Sequence, residues 1–181
     1  MTTDNIATAI ARVQTVLQRR PQTGMHDDAP ATARWMGGLR VISSHANGMQ
    51  VPSDMPAELG GTGDQVSPGW LFRAGLAACL ATCIAIQAAA AGIVLSALEV
   101  RATSRSDLRG LFGMCESDGA RVGAGPIAAG LTVHIAAPGV EPGELNRLVE
   151  RSYLQSPISA ALRDAVPLNL AIEVNGRGDR I

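Results

Sequence analysis

Aromatic residues are nearly missing from this chain. They make up 3% of its 181 residues and comprise only Trp35, Trp70, Phe72, Phe112 and Tyr153. A core without many large rings must be built from Ala, Leu, Val and Ile, and such small side chains let helices approach closely. Lysine is absent altogether, so all 15 basic residues are arginine, a bias that reads as base composition of the source genome rather than as function. An excess of one charge is missing too. The 15 basic and 16 acidic residues leave a net charge of −1, and the densest basic cluster is only Arg101, Arg105 and Arg109. Nucleic-acid binding depends on neutralising phosphates, so a nucleic-acid partner is not expected.

Cysteine is scarce: Cys79, Cys83 and Cys115 are too few for a secreted disulfide scaffold. The N-terminal segment carries Asp4 and lacks the unbroken apolar stretch of a signal peptide, so a cytoplasmic location is expected. Residues 74–91 hold no charge, and these 18 residues reach the lower edge of a membrane span. Alanine dominates them and gains little from leaving water. A buried helix is therefore expected, and no membrane partner.

What is present is a clear order of elements. Ile6, Ile10, Val13 and Leu17 recur at helical spacing over residues 4–19, with Asp4 as the expected cap and Pro21 as the stop. Residues 1–30 read as a helical arm with a polar linker, and residues 31–181 as the main domain. Turn signals at Gly37-Gly38 and Asn47-Gly48 divide the next stretch into strands near 32–36, 39–45 and 48–52. PAELGGTGDQVSPG, with four glycines and two prolines, is a loop. Ser67-Pro68 opens a long central helix that Gly92 closes. Strands are expected at 95–105 and 127–136, with a turn or bulge at SDLRGLFGM between them. Helices follow at 141–154 and at 157–164, the second capped by Ser156, and LNLAIEV (168–174) reads as a last strand. Strands grouped in blocks imply antiparallel pairing and an α+β fold.

The central helix raises the chemical question. Phe72, Leu76, Cys79, Cys83 and Ile86 fall on one stripe, and Ala74, Ala78, Ala81, Ala85 and Ala88 on another. Helical neighbours at i and i+4 hold their Cβ atoms about 5–6 Å apart, whereas a disulfide wants about 3.5–4.5 Å, so Cys79 and Cys83 cannot pair without local unwinding. Cys79 also lies about three turns beyond the cap, where the helix dipole has faded. No second Cys or His pair accompanies the two thiols, and His26, His45 and His134 are scattered, so no metal site and no cofactor are expected. From the residues alone, a buried apolar thiol and a reactive one both remain open; reactivity needs a nearby cation or donor.

Four stretches share a pattern. They are GGLRV (37–41) with ELGGTG (58–63), SPGWLFRAGLAACL (67–80), SDLRGLFGM (106–114) and QSPISAALRDAVPLNLAIEV (155–174). In this order they resemble the OsmC/organic hydroperoxide resistance family, in its OsmC-like branch, including the interval of eleven residues from Pro68 to Cys79. The resemblance implies an OsmC-like fold: an antiparallel sheet, a long central helix and an intertwined homodimer with sites at the subunit interface. The N-terminal helix would be an addition.

The resemblance also implies thiol-dependent reduction of hydroperoxides, preferably organic ones, with a cysteine that becomes a sulfenic acid and a second cysteine that captures it. By position, Cys79 matches the attacking cysteine and Arg40 the arginine that supports it. Two positions depart from the pattern. Ser156 stands where the resolving cysteine belongs, and Gly69 or Trp70 stands where a glutamate holds the arginine, which leaves Arg40 unsecured. Resolution would then fall to an external thiol, to Cys83 after local unwinding, or to Cys115 if its loop folds over the site. The alternative expectation is a non-redox homodimer that binds a small hydrophobic ligand, with Trp70, Phe72 and Leu76 lining the pocket.

Overall fold

The computed structural model describes residues 3–173. The chain begins with α1 (Thr3–Arg19) and a 3-10 turn at Pro21–Gly24. Asp4 lies within α1 rather than ahead of it as a cap. Three antiparallel strands follow, β1 (Thr32–Gly37), β2 (Arg40–Ser44) and β3 (Gln50–Ser53), in the order β1-β2-β3. Gly37 and Gly38 have φ of 107° and 56°, and Gly48 has φ of 90°, so the residues that turn the chain are those without a Cβ.

The long helix α2 (Pro68–Ala90) starts as its sequence dictates. The Ser67 hydroxyl accepts from the Trp70 backbone N–H at 3.2 Å, and Pro68 fills the first turn, where a missing N–H costs nothing. Gly92, with φ of 68°, ends it. A second antiparallel sheet pairs β4 (Ala97–Ser106) with β5 (Pro126–Ala136), register Val100 to Val133. Between them the expected turn contains a short helix, α3 (Leu108–Leu111), whose cap Asp107 accepts from the Arg109 N–H. The helices α4 (Pro142–Gln155) and α5 (Pro157–Asp164) meet at Ser156.

Alternation along β4 turns Leu98 and Val100 inward, and along β5 it turns Leu131, Val133 and Ile135 inward. They pack on the buried stripe of α2 (Leu80, Ile84, Ala88), joined by Leu145 and Leu148 of α4. Each fully buried Leu or Ile contributes about 1.5–3 kcal/mol. The buried stripe of α2 therefore runs through Leu76, Leu80, Ile84 and Ala88, not along the line through the cysteines, and Ile86 is exposed. Among the described residues α2 alone is long and apolar enough to cross a membrane; here it packs against α1, β4, α4 and α5.

The expected last strand differs. Residues 168–173 form no strand, and Val174 lies outside the described residues. Leu168, Leu170 and Ile172 are exposed. Alternation marks which side chains share a face, but a strand exists only where its backbone pairs with another.

Candidate functional site

The two sulfurs of α2 lie beside the joint between α4 and α5. Helix α4 ends at Gln155, Ser156 is extended (φ −72°, ψ 115°), and Pro157 restarts the chain as α5. This break turns the Ser156 side chain onto α2. Its hydroxyl donates to Cys79 Sγ at 3.2 Å and makes no capping bond to α5, so the expected capping role is not observed. The Ser159 hydroxyl in turn donates to Ser156 Oγ at 3.1 Å. Both serines are buried, while Cys79 and Cys83 are half-buried.

One turn further along α2, the Cys83 thiol donates a long, weak bond to the Gln155 carbonyl at 3.9 Å. Burial pushes the Cys83 thiol above its ordinary value of 9.0. The neighbouring Cys79 sulfur adds to this, and Ser156 opposes it. Gln87 Nε2 donates to Gln155 Oε1 at 2.5 Å and ties the two helices at the same level. Arg73, near the start of α2, donates to Ser104 Oγ on β4 at 3.2 Å.

Arg40 is secured, contrary to expectation, by residues of the glycine-rich loop and its border. Its Nη2 donates to Thr62 Oγ1 at 2.8 Å and to Asp64 Oδ1, and it lies 3.5 Å from Asp54 Oδ2. Asp54 is buried and organises the glycine-rich loop. It accepts from the Met55 N–H at 2.7 Å, and from the Thr62 N–H and hydroxyl at 3.2 and 2.7 Å. Those bonds from Thr62, then its other partners, hold the Asp54 carboxyl below 3.8. The Thr62 hydroxyl, whose one proton is shared between the two carboxylates, and the Arg40 guanidinium likewise hold Asp64 below that value. Arg40 itself is raised, with Asp64 as the main cause. Among the described hydrogen bonds none joins Arg40 to Cys79.

The remaining expected site residues are spread out. Cys115 is exposed in a hairpin whose bridge pairs it with Arg121, and no described hydrogen bond links that hairpin to α2. A cavity of about 470 Å³ opens between α2, β5, α4 and α5, lined by Leu76, Leu80, Leu131, Val133 and Tyr153 among others. Leu76 lines it; Trp70 and Phe72 do not. Ser159 also lies on its wall, two hydrogen bonds from the Cys79 sulfur. Trp70 is exposed at the start of α2. The three histidines are exposed.

Chemically, a half-buried thiol that receives a hydroxyl hydrogen bond can hold charge as a thiolate. Residues 61–171 match the family described as OsmC-like protein. An organic hydroperoxide resistance protein from Xanthomonas axonopodis pv. citri is 32% identical over 149 residues, covering 80% of this chain and 92% of that one. The structure of an organic hydroperoxide resistance protein OsmC from Legionella pneumophila superposes with a TM-score of 0.54 at 26% identity, over 77% of this chain and 91% of that one. That of an OsmC-like protein from Mycoplasma pneumoniae gives 0.62 at 18% identity, over 77% and 89%. With the match running from within the glycine-rich loop through α2 and both serines, the chain belongs to the OsmC-like protein family.

Proposed function

We propose that this protein is a thiol-dependent hydroperoxide reductase in which Cys79 is the attacking group and an external thiol completes the cycle. Family membership supports a peroxide-related redox function, and the name of the Xanthomonas relative points to organic hydroperoxides. The observation that carries the reading is the Ser156 hydroxyl on Cys79 Sγ, a donor placed on the sulfur of the one cysteine at the matching interval.

The Cys79 thiolate attacks the O–O bond. Sulfur gives up two electrons and keeps one oxygen as sulfenic acid, and the other oxygen leaves, with a proton, as alcohol. One external thiol converts the sulfenic acid to a mixed disulfide and releases water. A second thiol frees Cys79 and leaves as a disulfide. No cofactor enters this cycle.

The working form is a cytoplasmic homodimer, and Arg40 supports the thiolate across its interface. Exposed Trp35, Met36, Leu168, Leu170 and Ile172 on a single chain support association. Only Nη2 of Arg40 is engaged among the described hydrogen bonds, so its other donors are available. Peroxide consumption with a small dithiol tests the reading. Cys79→Ser should abolish it, Arg40→Ala should slow it, and Cys115→Ser should leave most of it. Equal, near-background rates for wild type and Cys79→Ser would remove it.

The cavity beside Leu76 favours a second reading, a homodimer that binds a small apolar ligand. Native mass spectrometry of freshly purified protein separates the two: a retained apolar molecule together with no peroxide turnover would support binding.

A further inference from the structure

Ser156 occupies a position that neither captures sulfur nor caps its helix, yet its side chain is fully buried. A buried hydroxyl in that setting is placed by its hydrogen bonds, and these have a direction. Each serine hydroxyl has one proton to give. Ser159 gives its proton to Ser156 Oγ, so Ser156 gives its own to Cys79 Sγ. The sulfur is the terminal acceptor of a two-step chain.

We propose that Ser159 and Ser156 form a one-way hydroxyl chain that stabilises the anionic form of Cys79, with Ser156 touching the reacting sulfur and Ser159 positioning and polarising Ser156. The proposal deepens the peroxidase reading and rests on it for any effect on turnover, but the ionisation itself can be measured without peroxide. A donor to a charged acceptor is stronger than a neutral pair, and successive hydroxyls polarise one another. Within one chain, the charges around the sulfur do not perform this task among the described residues. Arg73 on α2 is bound to Ser104 of β4. Arg163 on α5 stacks on Tyr153 and donates to the carbonyls of Tyr153 and Leu154 at the end of α4. Glu150 on α4 lines the cavity, and Arg12 on α1 is exposed. The titratable neighbour is Cys83, a thiol one turn away whose own ionisation is disfavoured.

The test is the pH profile of Cys79 alkylation by iodoacetamide on the full chain, with fragment masses that separate Cys79 from Cys83. Loss of one hydrogen bond to a charged group shifts the midpoint by about one pH unit, so Ser156→Ala should move it up by about that much. Ser159→Ala should move it up by less. Ser152→Ala is the structural control: Ser152 is equally buried, but its hydroxyl donates to the Leu148 carbonyl and touches no sulfur. Its midpoint should match wild type. An unchanged midpoint in either Ser156→Ala or Ser159→Ala, or an equal upward shift in Ser152→Ala, overturns the proposal. If Ser156→Ala does not fold, Ser159→Ala alone decides. Shifted midpoints without peroxide turnover in wild type would sustain the hydroxyl chain and remove the peroxidase reading.

Discussion

Arg40 and Asp64 are 24 residues apart in sequence and are joined as an ion pair over the glycine-rich loop, with Thr62 bonded to both. Beneath them Asp54 draws the same loop inward. The position expected to hold the arginine near the start of α2 is occupied by Gly69 or Trp70, and the loop carboxylates supply the restraint instead.

This clamp makes the protein sensitive to acid. Asp54 and Asp64 both titrate below 3.8 in the folded chain, first because of the Thr62 hydroxyl. On falling pH the unfolded chain takes up protons before the folded chain does. The stabilisation is therefore present above 3.8 and is lost as pH drops from that value through the folded ones. Tm should be nearly flat from about pH 7 to about pH 5 and fall below that. Asp54→Asn should have a lower Tm at neutral pH and a shallower acid slope. Parallel slopes in the two proteins would show that the clamp is not the cause.

Gly61 tolerates no side chain. A Cβ there would stand 1.8 Å from the Met55 carbonyl oxygen and 2.8 Å from Asp54 Oδ1. Gly61→Ala should cost about 1–3 kcal/mol or more through forced displacement of backbone, which for a chain of this size lowers Tm by roughly 5 °C. Differential scanning calorimetry checks it. An unchanged Tm would mean that the loop can open without loss.

Cys83 should ionise late. Its folded value lies above 9.0 because burial and then the Cys79 sulfur oppose the charge. The folded chain holds that proton more tightly than the unfolded one, so stability declines as pH rises from 9.0 through the folded value. Residue-resolved alkylation should give Cys83 a midpoint above 9.0. Cys79→Ser should lower it by less than the whole displacement, since burial remains. A Cys83 midpoint at or below that of a free peptide thiol would contradict this account.

Ser156→Cys should give the chain an internal partner for Cys79. Oγ and Sγ are already 3.2 Å apart, and closing to the disulfide length of about 2.05 Å requires only a small shift of the joint between α4 and α5. One equivalent of hydroperoxide should then yield an intrachain disulfide, read as the loss of two hydrogens by mass spectrometry, and protect Cys79 from sulfinic acid. Equal sulfinic acid in wild type and variant would show that the two positions do not close.

Local chemistry made most of the fold legible. Ser67-Pro68 and Gly92 bound α2 because a hydroxyl cap, a proline first turn and a left-handed stop act within a few residues. The glycine turns set three strands for the same reason. What could not be read depended on contacts distant in sequence. Ser156-Pro157 has the form of a cap, but its hydroxyl is taken by a sulfur 77 residues earlier. Asp54, Thr62 and Asp64 look like ordinary loop residues until Arg40 is placed among them. The helix α3 was hidden by its brevity, four residues behind Asp107. LNLAIE alternates correctly yet pairs with no strand among the described residues.

The Gln87–Gln155 contact has one more consequence. Primary amides neither gain nor lose protons in ordinary buffers, and neutral partners feel little screening by salt. The seam that seats the serine against the sulfur is thus indifferent to acidity and ionic strength, while the seat of the arginine is made of carboxylates. Acid below 3.8 should release the guanidinium first and leave the sulfur's surroundings assembled, so the two halves of the candidate machinery should come apart in a fixed order.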